Sequence, residues 1–462
     1  MYLFIHRKDL RTTDMRAFDY LRSKDDAGIH LLILDPALVG GGRLTSHSGR
    51  SFIGQAASLL LSYADAGKEL HVLYGEPERV TEALLQAHPI EEVVVHDDYT
   101  PYARLRDERL RELARKLGRS WTPVADAPLA DMTAFPAYAR RSGSVPYKVF
   151  TPFYRKWNRY IAEHYGPASD IAVDDLATVR EIDPAVAAAF ALPEPVACAL
   201  GASSGVEGTA KPSAKLDRFI RERLAAYAYN RDNYAEDATS GLARFMNAGS
   251  ISVRQAYEAT QGLPGAENWL RQLAWRDFFL YQAIYHEDFF RYEHLTDLSP
   301  LSDVHFEAWA SGSTGIPLID AAMTQLNRTG ELPNRLRMIV AMFLTKNLLC
   351  PFTLGEQHFR LHLSDYDNAQ NRGGWLWCSS LGYDAAPYFR VMNPVSQSQR
   401  YDPDGSYIRR WLPHLAHLSD KEIHRPLGGA IVDLKASRAR AIDVYKTIVL
   451  AGAGDERRLM GR

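Results

Sequence analysis

Short apolar runs at 2–5 (YLFI), 30–34 (HLLIL), 70–74 (LHVLY) and 92–96 (EVVVH) punctuate the start of the chain, and stretches such as Phe52 to Ala66 and Arg104 to Leu117 carry apolar residues at helical spacing between them. Continuous apolar runs suit strands covered on both faces. Their alternation with amphipathic helices predicts an α/β domain over residues 1–125, built on a doubly wound parallel sheet. No glycine-rich fingerprint follows the first run. His6-Arg7-Lys8-Asp9-Leu10-Arg11 stands there instead, which disfavours a nicotinamide-dinucleotide fold.

From 126 to 211 the pattern loosens into an interdomain connector. It holds an aromatic and basic knot, Pro146 to Tyr154, that reads as packed, and an Ala/Gly/Ser stretch from Ala197 to Gly208 that reads as a flexible loop. After Lys211 helical spacing dominates, predicting an all-α domain over 212–430 and a helical tail over 431–462.

Polar positions within the helical half change the picture. Trp269, Gln272 and Arg276 fall at i, i+3 and i+7 on one helix face, with Trp275 on a neighbouring face. Asn334, Arg337 and Met338 line one side of another helix, and Asp365, Asp367, Asn371, Trp375 and Trp377 follow within the same stretch. A lone tryptophan at helical spacing is ordinary core. Polar groups that share its stripe must find partners or cost stability, so Asn334 to Trp377 predicts a polar, aromatic-lined pocket for a flat cofactor.

Composition adds mainly exclusions. With 462 residues the chain has room for two or three domains, and 54 Lys+Arg against 56 Asp+Glu give no overall basicity to advertise nucleic acid, although a local patch can still serve. The cysteines Cys198, Cys350 and Cys378 are too few and too scattered for a disulfide framework or a four-cysteine iron–sulfur cluster. The opening MYLFIHRK becomes charged too soon for a signal peptide, and no apolar run reaches bilayer length. The expectation is a monomer in the reducing cytoplasm, with no membrane partner and no metal.

Several segments, taken in order, carry a family resemblance. They are Tyr147 to Phe153 (YKVFTPF), Arg231-Asp232 with Asp237-Ala238-Thr239-Ser240, Trp275 to Phe279 (WRDFF), Thr314 to Met323 (TGIPLIDAAM), Asn334 to Met338 (NRLRM), Gly373 to Trp377 (GGWLW) and Asp384 to Arg390 (DAAPYFR). Together they resemble the cryptochrome/photolyase family, most of all its class I cyclobutane pyrimidine dimer photolyases. The resemblance implies an α/β antenna domain, a linker, and a helical domain holding FAD in a U shape. It also implies light-driven repair of DNA, in which excited reduced FAD passes an electron to a flipped-out pyrimidine dimer. The rival reading is a cryptochrome-like blue-light sensor that binds FAD without repairing DNA.

Carried over by position, Tyr227 and the turn Thr239-Ser240-Gly241-Leu242-Ala243 would meet the FAD phosphates. Thr-Ser alone reads equally as a helix cap; the neighbouring Asp237-Ala238 match favours the ligand. Trp269, Gln272, Arg276, Asn334 and Tyr366 would line the cofactor pocket. Arg337 and Asp365 would pair over the isoalloxazine, and Asp367 would meet its edge. Asn371 would stand near flavin N5, where an amide oxygen accepts from the protonated nitrogen and favours the reduced cofactor. For the lesion, Trp275 and Trp377 are the stacking walls, Asn334 and Met338 touch the dimer, and Arg231, Arg335 and Gln397 face DNA. Enzymes of the (6-4) lesion carry histidines where this chain has Asn334 and Met338, so the cyclobutane dimer is the expected substrate.

The chain departs from that pattern in four places. Gln272 replaces a glutamate, which retains hydrogen bonding but not proton transfer. The phosphate turn, Thr239-Ser240-Gly241-Leu242-Ala243, lacks the family's usual arginine and second serine. Trp375 matches the first indole of an electron relay, but Phe352 fills the second position and no tryptophan lies in Leu295 to Phe306, leaving Trp309 or Tyr366 as substitutes. Ala103 and Tyr102 replace the glutamate and asparagine of folate-binding members, which leaves the antenna open between a deazaflavin and none.

Overall fold

The computed structural model of the chain describes residues 1–139, 147–203, 211–236 and 238–459, with side chains described to 449. The chain packs as two compact units: Met1–Pro146, Pro152–Ala225 and Ser240–Leu280 form the first, and Tyr147–Thr151, Ala226–Thr239 and Tyr281–Arg462 the second.

In the first unit, β1 (Tyr2–His6), β2 (Ala27–Leu34), β3 (His71–Tyr74), β4 (Glu92–His96) and β5 (Ser120–Val124) form a parallel sheet in the order β3-β2-β1-β4-β5. The central strand β1 shows why the run is apolar throughout. Side chains alternate between faces, so Tyr2 and Phe4 enter the core with Phe18, Ile53 and Tyr63, while Leu3 and Ile5 enter the opposite core with Val80, Leu84 and Val93. Helices α1 (His47–Asp65) and α2 (Pro101–Lys116) begin at Ser46 and Thr100, whose hydroxyls accept the Gly49 and Ala103 amides. The sequence reading did not include β5. Its residues SWTPV form no apolar run, and Pro123 is tolerated because the strand lies at a sheet edge.

The connector is more ordered than its composition suggests. β6 (Ala177–Thr178) pairs with β2, and α3 (Glu194–Ser203) buries Val196 and Leu200 in the core beside Ile53. The expected flexible loop from Ala197 is therefore helical to Ser203; alanine is the strongest helix former, and two apolar residues at i and i+4 suffice to seat the helix. Residues 204–208 of that stretch lie outside the described residues. The unit continues with α4 (Pro212–Glu222), α5 (Ala243–Ala248) and α6 (Ala266–Tyr285), whose residues to Leu280 belong to it. Buried Asp277 on α6 accepts from the Leu129 amide at 3.1 Å, the Ala130 amide at 2.8 Å and Trp157 Nε1 at 2.9 Å, pinning the connector to the helix.

Two buried polar clusters organise this unit. Asp9 receives His6 Nδ1 at 3.1 Å and His96 Nδ1 at 2.6 Å, and the chain of bonds runs on from His6 through Tyr63 and His30 to Tyr2. Burial holds His30 well below the ordinary imidazole range, so it is a neutral link. The second cluster is ionic. Arg254 reaches Asp14 at 2.9 Å and Asp126 at 2.7 Å, and Arg11 also pairs with Asp126, all four side chains being almost wholly buried. Burial alone would raise the Asp126 carboxyl, but Arg11, His96 and Arg254 overcome it and hold it far below its usual value.

The second unit is helical: α7 (Pro317–Thr329), α8 (Asn334–Met342), a π-helical turn (Phe343–Asn347), α9 (Phe352–His362), α10 (Asn368–Cys378) and α11 (Leu434–Leu459). Among the described residues no helix is long and apolar enough to cross a membrane.

The ionic cluster yields a stability prediction. Arg254→Met leaves Asp14 and Asp126 short of a shared counter-charge, and breaking a buried pair on one side costs about 3–5 kcal/mol. Urea unfolding should show a loss of that size, and a loss under about 1 kcal/mol would mean that water replaces the guanidinium there.

Candidate functional site

In the first unit α6 carries the predicted stripe as its spacing requires. Trp269 is buried against Phe219 of α4, with ring centroids 5.6 Å apart, so it is part of the core. Gln272, one turn on, is half-buried, and its Nε2 donates to the Asn268 carbonyl at 3.0 Å. Trp275 packs edge-on to Phe278 at 5.6 Å and keeps part of its surface exposed. Arg276 donates to the Ala127 carbonyl at 2.8 Å, so one arm of its guanidinium is committed to the connector.

The turn before α5 is also in this unit from Ser240 onwards. Ser240 Oγ accepts the Leu242 amide at 3.3 Å, which leaves its own O–H as a donor. Gly241 has a φ of +60°, a left-handed conformation that side chains disfavour. Leu242 is fully buried, so its side chain serves the core, and its amide donates to Ser240 Oγ. Ala243 begins α5 and is exposed. On α2 the Tyr102 hydroxyl is taken by Asp35, and Ala103 is buried. Tyr102 lines an open groove of about 510 Å³ together with Arg79, Arg106, Arg109, Glu76, Glu78 and Glu82.

In the second unit α10 gathers the most chemistry. Asp367 caps it, accepting the Gln370 amide at 3.0 Å. Asn371 lies inside the helix and not at its end, which removes the turn reading that Asn before Arg-Gly-Gly invites. Its Nδ2 donates to the Glu356 carbonyl of α9 at 3.1 Å. That bond fixes which way the amide faces, because a carbonyl can receive only the NH2 side. The Oδ1 is thereby held as an acceptor directed away from Glu356, which fits the N–H of a reduced flavin.

Arg337 and Asp365 form the predicted pair: one guanidinium nitrogen reaches both carboxylate oxygens, at 2.9 and 2.8 Å, and Nε donates to the Leu332 carbonyl at 2.7 Å. The pair is half-buried. Tyr366 donates to Asn368 at 2.7 Å. On α8, Asn334 Nδ2 lies 3.7 Å from Met338 Sδ, so the two residues expected at the dimer share one helix face. Trp377 is half-buried towards the end of α10.

Trp375 is buried among Phe359 and Trp309, with centroids at 5.0 and 6.1 Å. Of the two proposed substitutes for a second relay indole, the structure brings Trp309 to Trp375. Trp309 donates its Nε1 proton to the Val340 carbonyl at 3.0 Å. Phe352 instead lies under the Arg372 guanidinium at 5.4 Å. Arg372 bridges Glu293 at 2.6 Å and Glu356 at 2.7 Å. One cation between two carboxylates leaves an excess negative charge; burial pushes the Glu356 carboxyl up to about 6 despite Arg372. Glu356 escaped the sequence reading because its contact with Asn371 is made by its backbone, which no side-chain pattern records.

The predicted DNA face is partly committed within the unit. Arg335 pairs with Asp232 at 2.5 Å and stacks on Tyr401 at 5.0 Å, so it is a neutralised arginine and not a loose surface charge. Its Nε and the Gln397 Oε1 are buried without a protein partner. Arg231 sits 6.0 Å over the ring of Tyr227, which burial makes a poor acid. Thr239 is half-buried, and Asp237 lies outside the described residues.

Known proteins resemble this chain over most of its length. Residues 2–170 match the DNA photolyase family model, and residues 269–460 match the FAD binding domain of DNA photolyase. A protein of Halobacterium salinarum named deoxyribodipyrimidine photo-lyase is 35% identical over 92% of this chain and 91% of its own length. Among solved structures, a bacterial class III photolyase from Agrobacterium tumefaciens is similar with a TM-score of 0.82 and 30% identity, covering 97% of each chain. A cryptochrome from Synechocystis is similar with a TM-score of 0.81 and 25% identity, over 97% of this chain and 99% of its own. The chain therefore belongs to the DNA photolyase family and carries that family's FAD-binding domain.

Proposed function

We propose that the protein repairs cyclobutane pyrimidine dimers in DNA under blue light. The observation that carries the reading is the oriented amide of Asn371, fixed by Glu356 and set on the helix that also bears Trp375 and Trp377. When bound, reduced and excited FAD supplies the electron that opens the cyclobutane ring and then recovers it.

The chain's own residues bind, orient and exclude. Asn371 Oδ1 holds an acceptor at the flavin edge, and Arg337 with Asp365 presents a paired charge to the cofactor without adding net charge. Ser240 offers its O–H to a phosphate oxygen, a donor without bulk. Trp275 and Trp377 supply indole faces for splayed bases, each stacking contact being worth about 1–3 kcal/mol. Asn334 and Met338 present an amide and a soft apolar surface to the dimer, and neither can protonate it, which disfavours the (6-4) lesion. Arg231 and Arg335 serve the DNA backbone. Because Arg335 is already paired with Asp232, its phosphate contact has to compete with that carboxylate. A sensor without repair activity is the second reading; the replacement of the second relay indole by Phe352, and the likeness to a cryptochrome fold, are what favour it.

Illumination of the reduced protein with an oligonucleotide containing one cyclobutane thymine dimer separates the two. Repair restores two thymines in the light and none in the dark; flavin photochemistry with the dimer left intact would establish the sensor. Gln272 generates a further prediction. A glutamate there would face the Asn268 carbonyl at the position now held by the amide NH2, and that neighbour favours the protonated acid. Gln272→Glu should therefore raise the quantum yield of repair, and equal yields would remove the case for a proton donor at this position.

A further inference from the structure

The turn Thr239 to Ala243 holds no cation of its own, and a lysine from a distant helix fills the space beside it. Gly241 is left-handed, and a Cβ built on it would lie 2.6 Å from Lys215 Cε and 2.7 Å from its Nζ. The ammonium thus occupies the volume into which a side chain at 241 would project. Lys215 belongs to α4, 26 positions earlier in the chain, and is carried there by the fold. It is half-buried, and its ammonium also lies 5.9 Å from the centre of the Phe245 ring. On the same helix, four residues later, Phe219 packs on Trp269, so the register of α4 is fixed by a core contact and Lys215 is aimed by it. A side chain at 241 would have to displace the flexible end of Lys215, and the left-handed backbone there favours glycine.

We propose that Lys215 is the cation of the diphosphate subsite for FAD, supplied from α4 in place of an arginine in the turn itself. The proposal rests on the flavin reading given above. A lysine ammonium is a compact point charge with three donors, suited to phosphate oxygens that the turn itself would approach through neutral hydroxyl and backbone donors. The missing second serine is not replaced, so the charge of Lys215 carries more of the phosphate affinity than a single residue otherwise would.

The test is a titration of the full-length apoprotein with FAD and with riboflavin, which has the same ring system and no phosphate, using flavin fluorescence. Lys215→Met should weaken FAD binding by about ten-fold or more, since a charge-assisted hydrogen bond to a phosphate oxygen is lost. Riboflavin binding should stay within about two-fold, and Lys215→Arg should recover most of the FAD affinity. The salt dependence of FAD binding should also be shallower in Lys215→Met. Unchanged FAD affinity in Lys215→Met would overturn the assignment, and so would an equal loss for FAD and riboflavin, which would make the residue structural. If the wild-type protein binds neither flavin, the flavin reading itself fails, and the proposal with it.

Discussion

The capping bond from the Gln370 amide to Asp367 sets where α10 begins, and the rest of the site in the second unit depends on that phase. With the helix started at Asn368, Asn371, Trp375 and Cys378 fall at i, i+4 and i+7 and are buried together. The Asn371 amide then reaches the Glu356 carbonyl, and the Trp375 indole meets α9 at Gly355. A Cβ on that glycine would stand 2.1 Å from the indole, so α9 and α10 come this close only because residue 355 has no side chain. A polar bond and a steric allowance thus lock the same pair of helices. Gly373 and Gly374, which in sequence invite a helix end, are interior to α10.

The same economy appears around Arg372. Its guanidinium joins Glu293, Glu356 and the ring of Phe352. The position that the family pattern gives to a second relay indole is here part of an ion-pair cluster, while the indole nearest Trp375 is Trp309. Phe352 there offers its ring face to the Arg372 guanidinium.

Much of this was legible in the sequence because it is periodic. β1, β2, β3 and β4 announce themselves as apolar runs, and the stripe of Trp269, Gln272 and Arg276 follows from 3.6-residue spacing. The Arg337–Asp365 pair came from family resemblance, not from pattern. The misses share a physical origin in contacts that no local pattern encodes. The edge strand β5 lacks an apolar run because only half of it is covered. α3 looked like a loop because alanine, glycine and serine are common to both states, and two buried residues decide between them. Glu356 acts on Asn371 through its backbone carbonyl, and Lys215 reaches Gly241 from a distant helix. Sequence spacing is silent on both.

The central claim is that α10 serves cofactor and lesion through different residues of one rigid helix. The affinity for dimer-containing DNA, measured in the dark on Asn371→Leu and Trp377→Ala, tests it most directly. The account predicts that Asn371→Leu binds the damaged strand as the wild type does, while Trp377→Ala loses about ten-fold or more of that affinity, as the loss of one stacking platform requires. Equal loss in both variants, or none in Trp377→Ala, would contradict it.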